Sequence, residues 1–247
     1  MSLPTPYYDR DGITIYHGDA RDVLPTLSGI DLVIADPPYS SGGAMRSDRM
    51  NLTAAKYQRS GIRALPEFSG DNKDQRAWTS WMADWMATVR GACAPGALCF
   101  TFTDWRQLPA TTDAIQWAGL VWRGVVTWHK PSGRRLQGRF ASDTEFIVWG
   151  SNGPLPFDLD SGAGPSSVVT CDAPRGDDRE HIAQKPVEVI KHLIRVSPDA
   201  QTILDPFMGS GTTLRAAKDL GRRAIGIELN EDYCKIAVER LRQGVLL

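Results

Sequence analysis

The chain has 247 residues, of which 42% are hydrophobic and 23% charged, which is typical of one large globular domain. Its formal net charge of −1 excludes a global positive field, so contacts with nucleic acid must come from local basic patches. The four cysteines form neither a CxxC pair nor a Cys/His cluster, and we expect no metal site. The first residues lack an apolar signal core and no run is long enough for a membrane span, which predicts a cytoplasmic protein.

Two strands, a long loop and a helix are predicted first. Ile13–His17 alternates apolar and polar residues, and Asp31–Ala35 is a compact apolar run typical of a buried parallel strand. A loop is predicted at about 40–75, and it is rich in basic residues that would face DNA. These residues are Arg46, Arg49, Lys56, Arg59 and Arg63. The helix at about 74–92 carries an aromatic stripe, for which core packing is favoured over base stacking. The stripe consists of Trp78, Trp81 and Trp85, followed by Val89.

The rest of the chain alternates strands with helices. The predicted elements are a strand at Ala97–Thr103, a helix at 106–118, strands at Val121–Trp128 and Thr144–Trp149, a helix from Pro186 to about Val196, a strand at Thr202–Asp205, a helix at 211–220, a strand at Arg223–Glu228 and a helix at 231–243. Loops are predicted at about 130–143 and 150–180, the second as a short insert without core elements. This alternation predicts a single α/β domain over residues 1–247, with a doubly wound, mostly parallel sheet.

The tetrapeptide Asp36-Pro37-Pro38-Tyr39 follows the second strand, where parallel sheets build their sites. An aromatic amino nitrogen is a poor nucleophile, because its lone pair is delocalised into the ring. Two acceptors that face its N–H groups would stabilise the pyramidal nitrogen and its developing positive charge. Asp36 offers a carboxylate and Pro37 a carbonyl, while Tyr39 can stack on a base outside the duplex. The alternative is a rigid turn with a packed tyrosine.

A glycine loop (residues 205–213) connects a predicted strand to a helix. Its small residues allow close approach of a ligand, and the helix N-terminus suits a carboxylate or phosphate. The loop lacks both the lysine of a phosphate-binding loop and the third glycine of a dinucleotide-binding loop. On the next strand, Glu228 is placed to bind a ribose diol, and this is favoured over a capping role for the following helix.

Together the motifs resemble the β-class, permuted amino-methyltransferases of DNA. The tetrapeptide precedes the glycine loop, as in that family, and Gln184-Lys185-Pro186 stands between them. Gly18-Asp19 and Gly226-Ile227-Glu228 also match, as do Tyr233, Ala237 and Arg240 on the last helix and the segments 126–130 and 143–147. One departure is His181-Ile182-Ala183, since many members have Pro and Thr between this His and the Gln; it affects the contacts of that loop.

The resemblance implies a Rossmann-like fold, S-adenosylmethionine as cofactor and DNA as partner, and it allows a homodimer. Its implied catalytic residues are Asp36, Pro37, Pro38 and Tyr39, which hold the target base. Its implied cofactor-binding residues are Asp19, Asp36, Lys185, Asp205, Phe207, Gly209, Ser210, Gly211, Thr212 and Glu228. In this set Glu228 would bind the ribose, Asp19 the adenine and Lys185 the methionyl carboxylate.

An Asp at the head of the tetrapeptide favours adenine N6 by the same resemblance, with cytosine N4 as the alternative. Cytosine C5 chemistry is disfavoured, because the chain has no Pro-Cys pair. Less favoured alternatives are an RNA or protein-amide methyltransferase and a non-catalytic DNA-binding relative. The basic segment 130–139 is expected to contact DNA phosphates, the alternative being a solvated loop. Its candidate residues are Lys130, Arg134, Arg135 and Arg139. The motifs indicate no particular recognition sequence or partner endonuclease.

Overall fold

The computed structural model describes residues 4–40, 73–135, 137–155, 164–174 and 184–242. Within these ranges nine strands form one sheet: β1 (Tyr8–Arg10), β2 (Ile13–His17), β3 (Ile30–Ala35), β4 (Cys93–Thr103), β5 (Val121–Arg134), β6 (Ser142–Ser151), β7 (Val168–Thr170), β8 (Thr202–Asp205) and β9 (Arg223–Glu228). The helices are α1 (Ala20–Val23), α2 (Gln75–Ala92), α3 (Leu108–Trp117), α4 (Val187–Ile194), α5 (Thr212–Asp219) and α6 (Glu231–Arg242), with a 3₁₀ turn at Leu24–Thr26. None of the helices in these ranges has the length and hydropathy needed to cross a bilayer.

The strands are ordered β1-β2-β9-β8-β3-β4-β6-β5-β7 across the sheet. The five consecutive strands β2, β9, β8, β3 and β4 are all parallel, whereas β6 runs antiparallel to both β4 and β5. Strands β3 and β8 are neighbours, with Leu32 opposite Ile203 and Val33 opposite Leu204. The sheet therefore places the end of β3 beside the end of β8, although most of the chain lies between them. This confirms the predicted mostly parallel sheet.

Helices cover both faces of the sheet. Successive side chains of a strand point to opposite faces, so the apolar strands present hydrophobic side chains on both faces, and helices bury them. On β3, Leu32 and Ile34 belong to the core beneath α4, α5 and α6, and Val33 and Ala35 to the core beneath α1, α2 and α3. Helix α2 begins after Asp74, whose carboxylate accepts the N–H groups of Arg76 and Ala77. Its buried stripe includes the predicted Trp78, Trp85 and Val89, so the expected core packing of these three is confirmed.

Several boundaries differ from the prediction. Strand β5 continues past Trp128 into the expected 130–143 loop, because its pairing with β6 extends from His129 opposite Thr144 to Arg134 opposite Ser142. The 150–180 segment contributes a strand to the sheet, because β7 pairs in parallel with β5 as the outermost strand. Strand β1 and helix α1 were not predicted, and β4 begins at Cys93 rather than Ala97, where Cys93 pairs with Ile30. Most of the predicted 40–75 loop, with its five basic residues, lies outside the described residues.

Candidate active site

The parallel strands deliver the predicted motifs to one edge of the sheet. Gly18-Asp19 follows β2, the tetrapeptide follows β3, Pro206 follows β8 and Leu229 follows β9. A cavity of about 930 Å³ opens at this carboxyl edge. Every predicted catalytic and cofactor-binding residue except Gly211 lines it. The two halves of the predicted site therefore form one cavity, because the strands before them are neighbours in a parallel sheet.

The tetrapeptide is held from two other elements. The indole Nε1 of Trp78, on α2, donates to the carbonyl of Pro38 at 2.7 Å. The side-chain amide of Gln107 donates to the carbonyl of Tyr39 at 2.8 Å, and Gln107 is itself fixed because Asp104 accepts its N–H at 3.0 Å. Neither Trp78 nor Gln107 was predicted to belong to the site. These bonds fix the turn before any ligand binds, which adds to the stiffness of its two prolines.

The carboxylate of Asp36 is bound on both oxygens. The hydroxyl of Tyr39 donates to Oδ1 at 2.8 Å, and the ammonium of Lys185 donates to Oδ2 at 2.7 Å. Lys185 comes from the segment directly before α4, and its side chain is 8% exposed. The structure thus places Lys185, expected at the cofactor, in direct contact with the predicted base-holding carboxylate.

A second, partly buried acid, Glu145 on β6, extends this network. Its Oε2 lies 3.5 Å from the ammonium of Lys185, and its Oε1 accepts from Lys130 at 2.9 Å. Glu145 was not predicted to belong to the site, although an acid directly beside the apolar run at 146–149 needs a partner if it is buried. Lys130, expected to contact DNA phosphates, is instead paired with Glu145, and its side chain is 18% exposed.

Burial and pairing compete in setting the charges of these groups. Burial raises the pKa of Asp36, and the ammonium of Lys185 opposes that rise. Burial alone would lower the pKa of Lys185, but the carboxylates of Asp36 and Glu145 reverse this and raise it. Burial also opposes ionisation of Glu145, but Lys185 and Lys130 lower its pKa overall. The phenol of Tyr39 has a pKa well above its usual value because it is buried next to Asp36. It therefore remains a hydrogen-bond donor.

The glycine loop packs tightly against α6. Gly211 has φ +79°, and a Cβ on it would lie 2.8 Å from the Cβ of Ala237. Arg240, one turn further along α6, donates to Thr212 Oγ1 at 3.1 Å and lies 3.5 Å from Ser210 Oγ. Ala237 and Arg240, which the sequence showed only as part of a motif, therefore both contact the glycine loop from α6.

Two carboxylates accept backbone N–H groups of the glycine loop. Glu228 accepts the N–H of Gly209 at 3.0 Å through Oε2 and the N–H of Asn230 at 2.8 Å through Oε1. It therefore ties the glycine loop to the start of α6 while still lining the cavity. Asp205 accepts the N–H of Phe207 at 3.0 Å, and burial raises its pKa to about 7.

Aromatic rings and a capped helix form other parts of the cavity wall. Phe207 packs on Trp81 and Trp85, with ring centroids 5.7 and 5.1 Å away. Trp81, at the middle of the predicted stripe, therefore faces the cavity as well as the core. Asp19 caps α1 by accepting from the N–H of Arg21 and forms an ion pair of 2.6 Å with its guanidinium.

The predicted DNA-contacting residues lie elsewhere. Arg135 and Arg139 are exposed in the connection between β5 and β6. Arg134 is the last residue of β5. Neither Arg135 nor Arg139 lines the cavity. The role of all three arginines in DNA binding stays a prediction.

Comparisons with known proteins agree with these features. A family model described as DNA methylase matches residues 30–239. The Type II methyltransferase M.ScaI of Streptomyces caespitosus is 29% identical over 281 residues, which cover 97% of this chain and 84% of its own. The crystal structure of the M1.HpyAVI–SAM complex has a TM-score of 0.67 at 24% identity, covering 94% of this chain and 100% of its own. The PvuII DNA methyltransferase, named as cytosine-N4-specific, has a TM-score of 0.69 at 17% identity and covers 100% of this chain and 90% of its own.

Proposed function

Since the chain belongs to the N6/N4 family of DNA methylases, we propose that it transfers a methyl group from S-adenosylmethionine to N6 of adenine in DNA. S-Adenosylmethionine is the methyl donor of this family. The observation that carries the choice of adenine is Asp36 at the head of the tetrapeptide, anchored at the cavity by Lys185 and Tyr39. By resemblance, Asp at this place goes with adenine N6, whereas Ser goes with cytosine N4.

The chemistry of the cavity fits the cofactor. Its volume of about 930 Å³ lies within the range of ligand pockets. Lys185 offers a cation for the methionyl carboxylate, Glu228 an acceptor for the ribose diol and Asp19 an acceptor for the adenine. Phe207 gives an apolar wall, and Gly211 leaves room where a Cβ would force the loop away from α6. When bound, the cofactor supplies a methyl group on a positively charged sulfur.

The residues of the tetrapeptide act on the amino group of the base. We assign its two N–H groups to a carboxylate oxygen of Asp36 and to the carbonyl of Pro37. Each oxygen of Asp36 has a further lone pair beside the one engaged by Tyr39 or Lys185. As the nitrogen becomes pyramidal and positive, the carboxylate stabilises it. The bonds from Trp78 and Gln107 hold the turn in place, so little reorganisation is needed during transfer.

The second candidate is cytosine N4, which presents the same pair of amino N–H groups to the same two acceptors. The non-catalytic alternative has less support, because the tetrapeptide and the glycine loop are both intact in the sequence. A protein-amide substrate has less support, because the tetrapeptide begins with Asp rather than Asn and precedes the glycine loop. An RNA substrate has less support, because the matching family is described as DNA methylase. Since the relative M.ScaI is named a Type II methyltransferase, we also propose a restriction–modification context. A single domain over residues 1–247, a homodimer and a cytoplasmic location stay predictions.

Expression in a bacterial host that lacks DNA methylation tests the proposal. Genomic DNA from cells carrying the wild type, Asp36→Ala or the control Asp113→Ala would be digested to nucleosides and analysed by mass spectrometry. Asp113 lies exposed on α3, so it controls for the loss of a carboxylate. N6-methyladenine with the wild type and the control, absent with Asp36→Ala, is the expected result. N4-methylcytosine would transfer the assignment to the second candidate, and no methylated base would point to another substrate.

A further inference from the structure

Two strongly exposed aromatic side chains lie at the sheet edge that carries the cavity. Trp105 is 66% exposed and follows β4, two residues before Gln107, which holds the carbonyl of Tyr39. Phe140 is fully exposed in the connection between β5 and β6. This connection extends beyond the end of β4, because Thr103, the last residue of β4, already pairs with Phe146. Phe140 therefore projects from the same edge as the tetrapeptide.

The surroundings of Phe140 are cationic. Arg135 and Arg139 are exposed in the same connection. An apolar ring fully in water is unfavourable, and burying it would release that cost. Arginines beside such a ring match a polyanion that also offers stacked, apolar surfaces. Duplex DNA has this combination, with phosphates outside and base faces within.

The proposed reaction creates a space for such a ring. A base can reach Asp36 only after it leaves the stack, and the duplex then contains a gap. We propose that Phe140 enters the duplex at the place vacated by the target base. There its ring fills the gap and prevents the base from returning to the stack, while Arg135 and Arg139 contact the adjoining phosphates. This role rests on the proposed methylation of a base in duplex DNA, but not on the choice of adenine.

The chain offers a matched control at the opposite edge of the sheet. Trp117 is 69% exposed, at the end of α3. It lies shortly before the start of β5, where Val121 pairs with Ser151 at the far end of β6. Trp117→Ala therefore removes an exposed aromatic ring far from the edge with the tetrapeptide.

The experiment compares methyl transfer to two duplexes. Sequencing of plasmid methylated by the wild type first identifies the site. Oligonucleotide duplexes then carry the target base either paired normally or opposite an abasic residue, where opening costs less. Single-turnover rates would be measured for the wild type, Phe140→Ala, Phe140→Leu and Trp117→Ala, and light scattering would give the oligomeric state of each.

With the paired duplex, Phe140→Ala should be slower by about tenfold or more, comparable to the loss of a base–aromatic stack. With the abasic duplex its rate should be within about twofold of the wild type, because the gap no longer needs support. Phe140→Leu should recover most of the rate, and Trp117→Ala should match the wild type. An unchanged rate for Phe140→Ala, an equal loss on both duplexes, or a loss that accompanies an altered oligomeric state would overturn the proposal. A wild type without transfer to either duplex would instead reject the proposed function.

Discussion

The ammonium of Lys185 lies 2.7 Å from Asp36 Oδ2, although 149 positions separate the two residues in the chain. The contact exists because the segment before α4 reaches the edge at which β3 ends. It links the segment expected to bind the methionyl carboxylate to the carboxylate expected to hold the base. The two halves of the proposed site therefore share one ion pair, between a buried lysine and a partly buried carboxylate.

Removal of Lys185 should change the pH dependence of methyl transfer. Lys185→Met leaves the partly buried carboxylate of Asp36 without its cation, so the pKa of Asp36 should rise further. Transfer needs ionised Asp36, and the acid limb of the rate profile should therefore move to higher pH. The rate at pH 7 should fall by about tenfold or more. Single-turnover rates across pH measure this, with Lys235→Met as control because Lys235 is 57% exposed on α6. An acid limb at the wild-type position would contradict the role of Lys185.

Substitutions of two glycines should separate backbone strain from crowding at the cofactor loop. Gly211 and Gly221 have φ +79° and +66°, so alanine at either position is strained by on the order of 1 kcal/mol. A Cβ at Gly211 meets Ala237 at 2.8 Å, whereas a Cβ at Gly221 has no atom of the described residues within 4 Å. Gly211→Ala should therefore lose cofactor affinity by about tenfold or more, and Gly221→Ala should not. Calorimetric titration with S-adenosylmethionine measures both, and equal affinities would refute the steric account.

The buried carboxyl of Asp205 should make stability depend on pH. Its pKa is raised from 3.8 to about 7, so between these values the folded protein holds a proton that the unfolded chain lacks. The free energy of unfolding that Asp205 contributes therefore falls as pH rises through this window.

Asparagine at this position stays neutral and can still accept the N–H of Phe207. Relative to the wild type, Asp205→Asn should be more stable at pH 8 than at pH 4, by on the order of 1 kcal/mol or more. Denaturant titrations at the two pH values measure the difference, with Asp113→Asn as control. If the stability difference between variant and wild type is the same at both pH values, folding does not raise the pKa of Asp205, and the account of this residue is wrong.

Charge reversal at the end of β5 should weaken DNA binding selectively. In the variant Arg134→Glu with Arg135→Glu, two expected phosphate contacts become repulsive, so affinity for duplex DNA and the salt dependence of binding should both decrease. Affinity for S-adenosylmethionine should not change, since neither residue belongs to the predicted cofactor-binding set and Arg135 does not line the cavity. Fluorescence anisotropy with DNA and calorimetry with the cofactor test the two statements. Unaltered DNA affinity would reject this surface.

The parts of the site that follow parallel strands could be predicted from the sequence. The apolar run before Asp36 and the short strand before Pro206 are recognisable locally, and parallel strands present their carboxyl ends at one edge. A position at the carboxyl ends of strands could therefore be expected for both motifs, and the pairing of β3 with β8 makes the two motifs adjacent.

The parts that depend on long-range pairing could not be predicted in this way. Glu145 and Lys130 meet because β5 pairs with β6, with Trp128 opposite Glu145, and continues past Trp128 to Lys130; apolar alternation indicates the two strands but not that they pair. Trp78 was interpreted as a core residue, and it is one, but its indole N–H also supports the tetrapeptide. A stripe of apolar residues shows which face is buried and does not show the partner of a polar atom within it.

The central claim is that Asp36 holds the amino group of adenine during methyl transfer. Purified protein would be incubated with tritium-labelled S-adenosylmethionine and unmethylated genomic DNA, followed by nucleoside chromatography, with Asp36→Ala and Asp113→Ala in parallel. The account predicts label in N6-methyl-2′-deoxyadenosine for the wild type and Asp113→Ala, and none for Asp36→Ala. Label in N6-methyl-2′-deoxyadenosine that persists in Asp36→Ala, or label in another nucleoside, would contradict it.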